Sequence, residues 1–343
     1  MLTNISLIYL IGILLYQSSI LQVKYIIYFA SFLILKNSAF FKYSLGKIFL
    51  LIFFLMISLI NKNIKLFFLI LFVFQMEKIE ISTIIKFIKQ YFIYGMLLFI
   101  FIVLMAKFKI IDPKYYIASS TKIRNGLGFK NPNTAGVYYF ILVSHYYFFK
   151  WNYLKYYDYI LVLIGELFLY NYTSSRTGLI VCVFQLMTII ILKNNIKVKN
   201  IKKYYFITPF LFYILNIFIT FFYTEDLNKI MTNRPFTWKM NLLSQTNLLN
   251  IFFGSFGKKI IFPLDNSLLN IQFYFGIFSV FIFLYLFCKG LKSMENKYIE
   301  RVFIIFLSYL VYSLSESMLI SPNFGIIQIL IMSRALKKVG VKK

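Results

Sequence analysis

Five arginines stand against 32 lysines in this chain. Lysine is its default cation, so each arginine reads as a chemical choice. A guanidinium is a planar fork that grips phosphate or carboxylate through two parallel hydrogen bonds, which an ammonium cannot do. Three arginines occupy short polar segments between apolar runs. Arg124 precedes Asn125-Gly-Leu-Gly-Phe-Lys-Asn-Pro-Asn-Thr-Ala-Gly136, Arg176 lies within Ser174-Ser-Arg-Thr-Gly178, and Arg234 opens Arg234-Pro-Phe-Thr-Trp238. Acids are scarcer than bases, 11 in all. Asp265 begins Asp265-Asn-Ser-Leu-Leu269, Glu316 follows Ser315, and Glu166 sits in the middle of an apolar run. Cations of this type hold an anion, and a carboxylate beside them takes up a proton.

The elements that must position these groups follow from composition. The chain is 343 residues long, 60% hydrophobic and 14% charged. A soluble domain is roughly 45–50% apolar and about 25% charged. These proportions exclude an ordinary soluble enzyme, a disordered chain and a disulfide scaffold, and point to an all-α polytopic membrane protein. Apolar runs at 4–22, 25–41, 46–61, 64–76, 91–110, 134–150, 157–173, 176–193, 204–223, 268–288, 301–318 and 321–335 predict twelve transmembrane helices. They form a single membrane domain over 1–343, and the run from Ile5 reads as a first span rather than a cleaved signal. Glu77–Gln90, with Ile79, Ile81, Ile84, Ile85 and Ile88 at helical spacing, predicts an interfacial segment. Cys182 and Cys288 fall in apolar runs and read as small hydrophobes.

The net charge of +26 is distributed in clusters between the spans. With both termini cytoplasmic, 22 of the 37 Lys and Arg, including Arg301 and Arg334, lie inside, as the positive-inside rule requires. The others concentrate in two external segments, about 107–133 and 224–268, with six between Lys107 and Lys130 and five between Lys229 and Lys259. Arg124, Arg176 and Arg234 all face outward in this topology. An outer face that keeps cations against the rule has an anion to bind, or it reflects longer loops in a lysine-rich chain. Pro132 bounds a turn before a helix that Asn133 or Thr134 can cap. Ser174-Ser-Arg-Thr opens a helix whose amino terminus presents backbone donors suited to phosphate.

In this order, the glycine-flanked Asn131-Pro-Asn133, the Ser175-Arg-Thr-Gly178, the large loop with Arg234 and Trp238, the Phe253-Gly-Ser-Phe-Gly257 turn and Asp265-Asn-Ser-Leu resemble the Wzy-type polysaccharide polymerases and related O-antigen ligases. Ser315-Glu316 resembles that family's last acidic position. The resemblance covers about residues 120–320. It departs at Leu268, where the family usually has an aromatic, and at the Gly254/Gly257 spacing. The ligase branch usually carries His-Asn where this chain has Asp265-Asn266, which favours polymerase. The only histidine, His145, reads as a structural residue of the sixth span.

What the resemblance implies is transfer of a growing glycan from undecaprenyl pyrophosphate to a sugar hydroxyl of a second lipid-linked repeat unit, at the external face of a bacterial cytoplasmic membrane. On that reading Arg124, Arg176 and Arg234 bind the pyrophosphates. Asp265 is the general base, or else a helix cap with Asn266 and Ser267. Asn131, Asn133, Ser175, Asn266 and Glu316 line the substrate site, with Glu316 orienting an arginine or touching sugar. Trp238, Tyr138, Tyr139 and Phe236 either stack on sugar rings of the glycan, Trp238 being the substrate-binding candidate, or belong to the membrane belt or core, as most aromatics do in a chain with 42 Phe and 28 Tyr. Glu166 either pairs with a polar helix neighbour or serves a proton or substrate path. No cofactor or metal is called for, since Walker, zinc and cytoplasmic Asp-x-Asp patterns are missing. Partners implied are membrane lipids, a flippase and a chain-length regulator, and no nucleic acid. The rival activities are a ligase and, in another class, a lipid-linked oligosaccharide flippase. A flippase predicts cations lining the spans and two similar halves, and the sequence shows neither.

Overall fold

The computed structural model describes residues 44–77, 79–119, 122–195, 205–257, 261, 264–316, 319 and 326–337. The predicted spans at 4–22 and 25–41 lie outside the described residues. What is described is helical apart from one hairpin. Three of its helices are long and apolar enough to cross a membrane: Ile81–Lys107, Arg176–Lys193 within a slightly longer helix, and Ser267–Ser293. The described residues fall into two compact units, one over 79–195 and one over 44–77 with 205–337. Cys182 and Cys288 are both free and buried.

The chain enters the second unit with α1 (Leu45–Ile60) and α2 (Lys65–Glu77), which lie side by side. Lys47 at the start of α1 is ion-paired with Glu77 at the end of α2. The first unit then opens with α3 (Ile81–Lys107), a single 27-residue helix. This corrects the expected division into an interfacial segment at 77–90 and a span from 91. The lysines at 86 and 89 are polar interruptions one turn apart, and they leave the i→i+4 backbone ladder intact.

After α3 come β1 (Tyr115–Ser119) and β2 (Lys122–Asn125), an antiparallel pair with Tyr116 opposite Arg124. The hairpin lies within the predicted outer segment 107–133. α4 (Pro132–Lys150) follows. Its cap is Asn131, whose Oδ1 accepts from the Asn133 backbone N–H at 2.8 Å, rather than Asn133 or Thr134 as expected. Pro132 fits the first turn because its missing N–H would have no helical partner there. α5 (Tyr156–Thr173) and α6 (Arg176–Asn195) complete the unit, and α4 packs against α3, α5 and α6.

The α4–α5 corner is pinned by charge. Asp158 accepts from Lys150 Nζ at 2.6 Å and from the Lys155 backbone N–H at 2.8 Å. Lys193 Nζ closes on the Trp151 carbonyl at 3.0 Å, and Gln185 crosses from α6 to Ser144 of α4 at 3.0 Å. Where side chains pack within lipid, such interhelical bonds and close van der Waals fit hold helices together, because lipid is as apolar as they are. His145 packs edge-on against Tyr91, ring centroids 5.1 Å apart, as a buried structural ring. Glu166 is buried, and neither carboxylate oxygen has a hydrogen-bond partner among the described residues.

The second unit resumes with α7 (Thr208–Phe222), α8 (Glu225–Ile230), α9 (Arg234–Leu243), α10 (Leu248–Phe253), α11 (Ser267–Ser293), α12 (Asn296–Ser313) and α13 (Ile326–Leu336). Among the described residues, the predicted external segment 224–268 thus carries three short helices. α11 is the hub, packing against α7, α9, α10, α12 and α13. It is broken at Gly276, whose backbone (φ 78°, ψ 168°) is not helical, into 267–275 and 277–293. A break frees carbonyls that apolar surroundings cannot satisfy. Gln245 answers one of them, its Nε2 donating to the Phe273 carbonyl at 2.8 Å. Asn61, just past α1, does the same for α10. It donates to the Phe253 carbonyl at 3.0 Å and accepts from the Phe256 N–H at 2.6 Å.

Candidate functional site

The sequence-predicted residues divide between the two units. In the second, a short-helix corner builds the site. Asn233 adopts a left-handed conformation (φ 62°) that turns the chain into α9, so that Arg234 becomes its first residue. Asn228 of α8 clamps that turn from both sides. Its Nδ2 donates to Asn233 Oδ1 at 3.0 Å, and its Oδ1 accepts from the Phe236 N–H at 3.2 Å. Arg234 therefore leaves the helix start in a defined direction, with its side chain only 19% exposed.

The guanidinium points between two carboxylates. Arg234 Nε is 3.7 Å from Asp265 Oδ2, and Nη2 is 3.8 Å from Glu316 Oε1. Both separations exceed hydrogen-bond length, so these are loose ion pairs rather than a closed fork. Burial raises the Asp265 carboxyl above its ordinary pKa, and the Arg234 charge opposes this with a smaller pull downward. A loosely held guanidinium between acids is available to exchange partners.

Asp265 and Glu316 are brought there by the amino terminus of α11. Asn266 is the helix cap, its Oδ1 accepting from the N–H groups of Leu268 at 3.1 Å and Leu269 at 3.2 Å. The capping role left open for Asp265 thus falls to its neighbour, which leaves the Asp265 carboxylate facing Arg234. The other end of the Asn266 amide donates to Asn216 Oδ1 in α7 and reaches the Leu314 carbonyl at 3.4 Å. Ser267 Oγ donates to the Glu316 carbonyl at 2.6 Å and accepts from the Leu319 N–H at 3.2 Å. The cap is thereby tied to the chain segment that presents Glu316. Asn216 was not singled out from sequence. Its signal there is one amide inside the apolar run Thr208–Phe222.

Trp238 is a correction. It is fully buried in a cluster with Leu242, Leu264, Leu269 and Phe273, so it has no face open to a sugar. Its position explains the burial. It lies one turn after Arg234, and α9 turns that side toward α11. Tyr138 and Tyr139 are buried as well, whereas Phe236 is exposed.

The first unit gathers the other residues. Arg124 on β2 donates from Nε to the Thr173 carbonyl at 2.8 Å and from Nη2 to Asn133 Oδ1 at 2.6 Å. It joins the hairpin to the start of α4 and the end of α5. The loop between is shaped by Asn125, whose Oδ1 accepts from the Leu127 N–H at 2.7 Å. Ser174 (φ 50°) turns α5 into α6 through a two-residue link. Ser175 is buried in that link, its Oγ without a hydrogen-bond partner among the described residues. Arg176 is exposed at the first residue of α6 and forms no ion pair among the described residues.

The arrangement thus offers an exposed arginine on a helix amino terminus in one unit, and an arginine between two acids in the other. Such groups hold an anion and move a proton. No group of three or more His, Cys, Asp or Glu poised for a metal occurs among the described residues. No protein-family model matches the chain, and neither a curated protein nor a solved structure matches it.

Proposed function

We propose that this chain is a Wzy-type oligosaccharide repeat-unit polymerase, a multi-pass protein of the bacterial cytoplasmic membrane with about twelve spans and both termini cytoplasmic. The single observation that carries the reading is Arg234 standing between Asp265 and Glu316 at the amino terminus of the apolar helix α11. The order of the outward motifs and the polar corner around α9 support it further.

In the proposed reaction, a hydroxyl oxygen of the acceptor repeat unit attacks the anomeric carbon of the donor glycan. The bond from that carbon to the pyrophosphate oxygen breaks, and the electron pair leaves with undecaprenyl pyrophosphate. Asp265 takes the hydroxyl proton. Arg234 neutralises charge as it develops on the leaving group, where fixed cations lower the barrier most, and Arg176 of the first unit is a further pyrophosphate-binding cation. Glu316 holds the guanidinium in place until the pyrophosphate arrives. When the anion takes Arg234, the pull that lowers the Asp265 pKa weakens, and the carboxylate becomes a better base.

The test is incubation of the purified protein in nanodiscs with its undecaprenyl-pyrophosphate repeat unit, without nucleotide or metal, followed by gel separation. A ladder of repeat-unit multiples is expected. A single transfer to a different acceptor points to a ligase. Glycan moved across the bilayer with no new bond overturns the polymerase reading in favour of a flippase.

A further inference from the structure

In the first unit, four buried side chains have oxygens with no hydrogen-bond partner among the described residues: Tyr147, Glu166, Ser175 and Gln185. Glu166 is the most demanding of them. It is 1% exposed, and none of the ion pairs among the described residues includes it. Burying an unpaired ion costs far more than burying the neutral acid, so the side chain holds a proton that none of the described residues accepts. An acid in an apolar bundle is costly, and its chemistry is the uptake and release of that proton.

Polar groups lead away from Glu166 in one direction. Tyr139 and Cys182 are within its electrostatic reach, and Cys182 is in turn within reach of Tyr147. Gln185, about one turn after Cys182 on α6, donates to Ser144 Oγ at 3.0 Å, and Ser144 lies about one turn before Tyr147 on α4. Tyr147 packs on Tyr159, ring centroids 6.0 Å apart. Its neighbour Tyr146 donates to Asp158, which also holds Lys150 Nζ at 2.6 Å. This corner reaches solvent through Lys150, whose side chain is 27% exposed. At the helical rise, Asp158 lies about 12 Å from Glu166 along α5.

The other direction is apolar. Thr173 lies about 10 Å beyond Glu166 on α5. Buried side chains of the same helices over that length include Ala135, Val137, Leu169 and Val181, and Tyr138 there stacks its ring on Phe129. The nearby cations are engaged elsewhere. Arg124 of β2 meets α5 at the Thr173 carbonyl, Lys193 of α6 closes on the Trp151 carbonyl, and the His145 ring of α4 is turned to Tyr91 of α3. The acid is thus joined to solvent by polar groups on the corner side alone.

We propose that Glu166 is an intramembrane proton-loading site, fed from the Asp158–Lys150 corner through Tyr147, Ser144 and Gln185 and closed toward the hairpin. A proton from water at the corner adds to the carboxylate, and release returns it to the same face, with water bridging the turns between side chains. The proposal rests on the reading above that the chain spans a membrane with this corner at the cytoplasmic face. It is independent of the glycan chemistry.

The experiment uses the full chain in liposomes with separately buffered inner and outer pH. Tyr156→Cys, an exposed position at the corner, reports orientation through a membrane-impermeant thiol reagent. The probe is a lipid-soluble carbodiimide. It takes the carboxyl proton on one nitrogen while the carboxyl oxygen adds to its central carbon, so only the protonated acid reacts. Mass spectrometry should find the adduct at Glu166, and raising the pH at the corner face should cut it about tenfold. Raising the pH at the hairpin face should leave it unchanged. The infrared band of a neutral carboxyl, removed by Glu166→Gln, should follow the corner pH in the same way and does not depend on access of the reagent. An adduct and band that ignore the corner pH, or that follow the hairpin pH, overturn the proposal. Protection by sodium ions at constant pH overturns it in favour of a metal-cation site. Corner-side titration in protein that makes no polymer ladder keeps the proton site and removes the polymerase reading. A ladder from protein whose Glu166 never titrates does the reverse.

Discussion

Gly254 and Gly276 let two backbones meet where no side chain fits. A Cβ on Gly276 would stand 2.0 Å from the Phe252 carbonyl oxygen, and one on Gly254 would stand 2.2 Å from that of Tyr274. Both glycines hold positive φ, 78° and 100°. The end of α10 is thereby keyed into the break of α11, with Phe252 stacked on Phe278 alongside it. Because Asp265 and Asn266 head the same α11, the interlock sets where the broken helix begins.

Gly276→Ala should be strongly destabilising. The clash is with backbone, which cannot swing away, and the alanine would also hold an unfavourable φ. The expected loss is about 3 kcal/mol or more, read as a lowered thermal midpoint in detergent by tryptophan fluorescence. An unchanged midpoint would show that α11 can straighten at no cost.

Gln245→Leu removes the donor to the Phe273 carbonyl without adding bulk. Leaving that carbonyl unsatisfied costs about 1–3 kcal/mol. Amide exchange should rise around 273–277 while the ends of α11 stay protected.

Arg234→Lys keeps the charge and loses the fork. Its ion pairs to Asp265 and Glu316 are loose, so stability should move by less than about 1 kcal/mol. Polymer formation should fall about 10²-fold, as when one preorganised donor to a developing anion is removed. Arg176→Lys should behave alike, since Arg176 is bound to no acid among the described residues. Normal polymer from both variants would remove the clamp.

The raised Asp265 pKa has a definite sign. Ionising the carboxyl is harder in the folded protein, so the stabilisation of its protonated form is present at low pH and is lost as pH rises through the folded value. Asp265→Asn should therefore be at least as stable as the parent at pH 7, with the difference vanishing below about pH 4, where the unfolded chain's own carboxyl is also protonated. Activity should be lost in the same variant. In the parent, polymer formation should decline on the acid side from a pH above the ordinary carboxylate range.

Asn266→Ala removes the α11 cap and the bond to Asn216 together. The cap alone is worth about 1 kcal/mol, and Asn216 would be left with a buried acceptor. Asn266→Asp keeps the cap and loses the donor, so its thermal midpoint against the parent's measures the tie to α7, and the gap between the two variants measures the cap.

Much of the helical architecture was legible because apolar runs and caps are local properties. The runs at 134–150, 157–173 and 176–193 each reappear as one helix, starting at Pro132, Tyr156 and Arg176. The single helix over Ile81–Lys107 was misread, since charges at 86 and 89 interrupt hydropathy but not backbone hydrogen bonding. The break at Gly276 was hidden for the converse reason. Hydropathy runs smoothly through it, and only the approach of α10 makes a non-helical glycine favourable there.

The sequence by itself determined the apolar, helix-forming character, the rarity of arginine and the polar motifs that separate the apolar runs, because these are set by residue type and near neighbours. Only the tertiary structure decided which of those residues meet. Folding put Arg234 between Asp265 and Glu316, 31 and 82 positions further along. It gave the cap to Asn266, tied Arg124 to Thr173 and Asn133, and buried Trp238. Pairings across such separations depend on how helices pack and where α11 bends, and no local pattern of residues encodes that geometry.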